Sequence, residues 1–137
     1  MLKGVNWIAV VIAFVLLEAL GFLWYGPLFG ATWMAEMGTP QDPKSPQVAL
    51  GLGAVITVVI ILGLSWLMRH LGAASLQACV LIALAAWFFF NFTTMAIDYL
   101  YVGHTGVFVA INMGYQLVSY LIAGAVLGLM PAKATAP

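Results

Sequence analysis

The sequence predicts an all-α integral membrane protein, a four-transmembrane-helix bundle with a short interfacial helix in its first external loop. Two observations carry that expectation. Hydrophobic residues make up 65% of the chain and charged residues 6%, with a mean hydropathy of +1.12. A soluble domain carries about 25% charged residues. The apolar residues also gather into four runs, each close to the roughly 20 residues a helix needs to cross a hydrocarbon core.

With so few charges, a chain of 137 residues lacks the polar surface to coat a water-soluble particle. Lipid is therefore the first partner the composition requires. The formal net charge is zero, so no basic face points to nucleic acid. Cys79 is the single cysteine, which excludes a disulfide or a thiolate cluster within one chain. The length fits one membrane domain, 1–137.

The spans are expected at about 5–25, 48–68, 76–99 and 107–130, with an external loop at 26–47. The first run begins soon after Lys3, as a secretion signal would. It is too long for the apolar core of about 7–15 residues in such a signal, and it ends in Trp24-Tyr25-Gly26-Pro27. It reads as a retained span. Ser45-Pro46 opens the second run with an N-cap residue and a proline at the first helical position. Arg69-His70 closes that run, Gly103-His104 follows the third, and Pro131 follows the fourth. The runs are too long for membrane strands of about 9–11 residues and lack strict alternation. A helix also satisfies its own backbone amides, as lipid demands.

Cations set the expected orientation. Lys3, Arg69 and Lys133 share one side of a four-span topology, and Lys44 is alone on the other, beside Asp42 and Glu36. Both termini are therefore expected in the cytoplasm, with the chain in the cell (inner) membrane. Trp7 and Trp66 fall near the inner edge, and Trp24, Tyr25, Tyr99 and Tyr101 near the outer one, where aromatic belts lie. In the external loop, Phe29, Trp33 and Met37 recur at helical spacing, which predicts a short helix on the membrane surface. Pro40, Pro43 and Pro46 then mark an extended connector.

Glu18 is the most informative residue. It lies ~20 Å along the first span at 1.5 Å per residue. A carboxylate at that depth costs several kcal/mol if ionised and unpaired, so it is expected to be protonated, paired or in contact with water. The same arithmetic puts Asn91 ~22 Å from the inner edge, Asn112 ~8 Å below the outer edge, and Thr57 and Gln116 ~13 Å below it. All four helices thus offer a polar side chain within a slab roughly 6 Å thick. Asn91, Thr94 and Asp98 recur on one face of the third span, and Asn112, Gln116 and Ser119 on one face of the fourth. A polar cluster of Glu18, Thr57, Asn91, Thr94, Asn112 and Gln116 is expected inside the bundle. It serves either to hold helices in register or as a proton or cation site.

Asp98 and Tyr99 are expected at the outer interface, as a solvated helix end. His70 and His104 fall on opposite sides, so no metal site and no cofactor are expected. Gly124 and Gly128 form a G-x-x-x-G step that predicts a close helix contact, within the chain or between copies. Gly51, Gly53 and Ala54 form a similar small-residue start to the second span. Trp87 to Phe90 are four consecutive aromatics, too many for one face, so some must touch lipid or another protein.

Two stretches resemble a known family. Trp24-Tyr25-Gly26-Pro27-Leu28-Phe29-Gly30 with Trp33-Met34 resembles the signature after the first span of the bacterial membrane family called domain of unknown function 1761. Asn91-Phe92-Thr93-Thr94 and Asn112-Met113-Gly114-Tyr115-Gln116-Leu117-Val118 look like its third- and fourth-span motifs. The family often has histidine where this chain has Gln116. The resemblance implies a four-helix membrane fold and no particular activity.

Two functions follow as expectations. The first is a non-enzymatic accessory or scaffold subunit, acting through helix packing in a homo-oligomer or larger membrane complex. The second is a small oligomeric transporter or channel for protons, cations or small polar solutes, using the cluster around Glu18. A membrane enzyme ranks last, because no nucleophile–base pair, metal motif or phosphate loop is present.

Overall fold

The computed structural model describes residues 2–131; Lys133, used above for orientation, lies outside the described residues. Four helices in it are long and apolar enough to cross a membrane: α1 (Trp7–Leu28), α3 (Pro46–His70), α4 (Leu76–Val102) and α5 (Gly106–Leu129). A shorter helix, α2 (Gly30–Met37), lies in the first loop. No strand is present among the described residues.

Each long helix starts on a side chain that accepts one of the amides left free at a helix N-terminus. Asn6 Oδ1 accepts from the Ala9 amide at 3.2 Å. Ser45 Oγ accepts from Val48 at 3.3 Å, with Pro46 at the first helical position. Ser75 Oγ accepts from Ala78 at 3.1 Å, and Thr105 Oγ1 from Phe108 at 3.2 Å. Gly103, at φ 84°, stops α4 in a left-handed conformation that a side chain would resist.

Two helices contain wide π turns, at Trp24–Leu28 in α1 and Trp87–Phe92 in α4. In α1 the cause is legible. Pro27 has no amide to donate, Gly26 takes a non-helical φ of −109° and ψ of −105°, and the Phe29 amide reaches Trp24 O at 2.8 Å. The chain bends there and leads directly into α2. For the turn in α4 no comparable backbone cause is present.

The long helices run alternately up and down, which brings distant segments to one end. There Asn6 Nδ2 donates to Met130 O at 3.1 Å, and Arg69 donates to Lys3 O. The core is narrow and made largely of small and medium side chains. Ala9, Val10, Ala13 and Leu17 of α1 meet Ile61, Leu64 and Met68 of α3, Cys79 and Ala83 of α4, and Ala123 and Leu127 of α5.

The tightest approach is α4 on α5. A Cβ built on Gly124 would lie 2.8 Å from the Ala83 Cβ, and one on Gly128 2.9 Å from the Leu76 Cα. The G-x-x-x-G step is therefore an internal contact. Gly51 and Gly53 behave differently, since nothing lies within 4 Å of a Cβ built on either. In α3 the buried residues are Ile61, Leu64, Ser65 and Met68, so that helix touches the bundle through its C-terminal half and leans away at its Pro46 end.

Many large apolar side chains are exposed. Phe22 is 71% exposed, Phe90 72% and Leu100 71%. Of the four consecutive aromatics, Phe88, Phe89 and Phe90 are exposed and Trp87 is half-buried. A water-soluble fold would lose the burial of these side chains, worth about 1.5–3 kcal/mol each. A hydrocarbon surrounding would remove that cost, which matches the four helices long and apolar enough to cross a membrane.

Candidate functional site: a groove beside Glu18 walled by an aromatic clasp

The bend after Leu23 carries Trp24 and Tyr25 toward α5. Trp24 Nε1 donates to Ile111 O at 3.0 Å. Tyr25 Oη donates to Asn112 Oδ1 at 2.7 Å, and Trp33 Nε1, arriving from α2, donates to the same oxygen at 3.1 Å. One amide oxygen thus collects two ring donors from two elements. A carbonyl oxygen has two lone pairs, so Asn112 Oδ1 is fully used.

The rings pack as well as bond. Tyr25 lies 5.1 Å from Trp33 at 68° and 5.1 Å from Tyr115 at 60°, while Trp33 stacks on Phe108 at 5.9 Å and 18°. Tilted and edge-on pairs at these distances are favourable for aromatic quadrupoles. Glycines make room for the clasp. A Cβ on Gly114 would meet Trp24 Cζ2 at 3.0 Å, and one on Gly30 would meet Tyr25 O at 2.5 Å. Thr105 ties α2 down from the other side, its hydroxyl donating to Glu36 Oε2.

Below the clasp, where α3 leans away, a groove of about 540 Å³ opens between α1, α3 and α5. Glu18, Thr57 and Gln116 line it together with Tyr25, Trp33 and Tyr115. Thr57 Oγ1 is engaged by its own helix, donating to Gly53 O at 3.0 Å. Among the described residues Glu18 makes no hydrogen bond or ion pair, and its electrostatic neighbour is Tyr115. Among the described residues no Lys, Arg or His lines the groove.

The polar slab expected from depth is therefore divided. Glu18, Thr57 and Gln116 share the groove, and Asn112 sits behind its aromatic wall. The α4 residues do not join them. Asn91 is half-buried facing Tyr120, and its Oδ1 and the Trp87 Nε1 are buried without a hydrogen-bond partner. Thr94 is exposed and donates to Phe90 O at 2.6 Å, and Asp98 and Tyr99 are exposed near the end of α4. The physical reason is the π turn at Trp87–Phe92. A wide turn holds an extra residue, so both the height and the phase counted at α-helical spacing shift beyond it.

Tyr115, Trp33, Trp24 and Tyr25 stand in the sequence as motif, loop-helix and belt residues, and the structure adds their part in the clasp and the groove wall. Tyr115 stands between Asn112 and Gln116 on a face spaced i, i+3, i+4, i+7, which marks it as part of the same polar stripe. The first and last family-like motifs prove to be the two halves of the clasp.

The family described as Protein of unknown function (DUF1761) matches residues 8–128. The chain belongs to that family. Neither the curated proteins nor the solved structures contain a match to it. Every clasp and groove residue named here falls within the matched segment.

Proposed function

We propose that this member of the family is a cell-membrane binding protein of the transporter or carrier class, taking a small solute in the groove beside Glu18. The observation that carries the reading is a carboxyl group without a hydrogen bond or ion pair in a groove of about 540 Å³. Ligand sites are typically about 300–1,000 Å³ and mostly apolar with a few polar groups. Intramembrane acids commonly mark ion or substrate pathways.

In this reading both termini are cytoplasmic. Lys3 and Arg69 meet at one end of the bundle and Lys44 lies beyond the other, in keeping with the positive-inside rule. The groove then lies in the outer half of the membrane, with α2 at the interface above it. The role is non-enzymatic, because the groove offers one carboxyl with amide and hydroxyl groups and no nucleophile bonded to a base. Proteoliposome flux of protons and monovalent cations tests it. Flux above empty vesicles that Glu18→Gln changes is expected, and equal flux in wild type, variant and empty vesicles would overturn it.

A scaffold role is the second reading, and one feature favours it. No residue in the Pro46 half of α3 is fully buried, and Gly51 and Gly63, which do not line the groove, leave open space where a partner helix would fit. Native mass spectrometry after gentle extraction separates the two. A monomer with no co-purifying protein counts against the scaffold.

A further inference from the structure

We propose that the ligand of the groove is an organic ammonium ion bearing an apolar group. This rests on the groove being a ligand site, and it narrows the ligand to one chemical class.

Charge comes first. Glu18 brings a carboxyl group to the groove, and among the described residues no basic side chain lines it. Lys3 and Arg69 are at the far end of the bundle, and Lys44 is paired with Asp42 in the loop. None of the described residues therefore supplies a counter-ion, and an anionic solute would meet a carboxyl group with no cationic donor of theirs beside it. A cation is the complementary occupant.

The walls decide which cation. Metal ions are commonly gathered by several carboxylates or imidazoles. Among the described residues Glu18 is the one such side chain lining the groove, and no group of three His, Cys, Asp or Glu gathers. The groove's aromatic wall is instead decisive: Tyr25, Trp33 and Tyr115 all line it, with the Tyr25 ring 5.1 Å from each of the other two at steep angles. The polar edges of Tyr25 and Trp33 are spent on Asn112, so these rings offer the groove π surface rather than hydrogen bonds. Aromatic rings lining the same groove as a carboxyl group suit an alkylammonium ion, which cation–π attraction holds against a ring face. The remaining wall is aliphatic, with Leu17, Leu50, Ile56 and Ile60 on α1 and α3. It suits an apolar substituent on the same ligand.

The probe is benzyltrimethylammonium, compared with its neutral isostere 2,2-dimethylpropylbenzene and with benzylsulfonate. Binding is followed by calorimetry and by tryptophan fluorescence on the full chain in a non-ionic detergent. The cation is expected to bind at least about tenfold more tightly than the isostere, with benzylsulfonate not binding. Glu18→Gln and Tyr115→Leu should each weaken the cation about tenfold, in the range of one desolvated cation–π or ion contact. Tyr115→Phe, which keeps the ring, should weaken it less than Glu18→Gln does. Thermal unfolding shows which variants are folded, and the Glu18→Gln and Tyr115→Phe comparison remains if Tyr115→Leu is not.

Equal binding of cation and isostere, unchanged by Glu18→Gln, would overturn the ammonium assignment and leave a groove for neutral apolar solutes. Failure of a folded wild type to bind any of the three probes would also overturn it. Glu18-dependent proton flux in that case would keep the transport reading standing, so the two ideas fail separately.

Discussion

Tyr25 and Asn112 are 87 residues apart in sequence and joined by a 2.7 Å hydrogen bond, the hydroxyl donating to the amide oxygen. This contact closes the bend of α1 onto α5 and sets the ring that walls the groove. With Trp24 Nε1 on Ile111 O and Trp33 Nε1 on Asn112 Oδ1, it fixes the direction in which the π turn at Trp24–Leu28 leads.

Asn112→Leu removes the acceptor of both Tyr25 and Trp33 at once. Two ring donors are then left in an apolar setting, each costing about 1–3 kcal/mol. A clear drop in the thermal unfolding midpoint in detergent is expected. Tyr25→Phe removes one donor and leaves Trp33 bonded, so a smaller loss of about 1 kcal/mol is expected. An equal loss in both variants would show that the shared acceptor is not what holds the clasp.

Gly124 and Gly51 test the packing in opposite directions. Gly124→Val places a branched side chain where even a Cβ meets Ala83 at 2.8 Å, so α4 must move off α5 at a cost of about 1–3 kcal/mol. Gly51→Ala enters open space, and the unfolding midpoint should hold or rise. Loss of stability in Gly51→Ala would reveal a neighbour on that face, as the scaffold reading requires.

The four long helices were legible in the sequence because length and apolarity follow from the thickness of a hydrocarbon layer, and Ser45-Pro46 marked its boundary by capping chemistry. Gly124 and Gly128 announced a contact through spacing alone. The lean of α3 was not legible, since Gly51 and Gly53 have the same composition as a packed face and differ in having nothing opposite them. Asn91 and Thr94 fall off the expected face because α-helical phase does not hold through a π turn that no residue type announces in α4. In α1 the signal was present, as Gly26-Pro27 inside an apolar run, but Trp24 and Tyr25 were read by their depth and not by their hydrogen-bonding edges.

Thr105 caps α5 and also holds α2 through Glu36. Thr105→Ser keeps both bonds, whereas Thr105→Val loses both, with about 1 kcal/mol expected from the cap alone. Hydrogen exchange should then rise across Gly30–Met37 and the first turn of α5 in Thr105→Val only. Faster exchange at α5 without α2 would mean that the Glu36 contact does not fasten the loop helix.

Glu18 and Asn112 are both polar and within one wall of each other, yet their substitutions should diverge. Asn112 satisfies two donors, so its loss is paid in stability. Glu18 satisfies none, so Glu18→Gln strands no partner and removes only a group that is expensive to desolvate. The unfolding midpoint of ligand-free Glu18→Gln is expected to equal or exceed that of wild type, while Asn112→Leu falls well below it. A group kept at a cost to the fold, with nothing in the fold depending on it, is one retained for a ligand or a proton. A destabilised Glu18→Gln would instead make the residue a structural tie, and the groove would lose its reason to be a site.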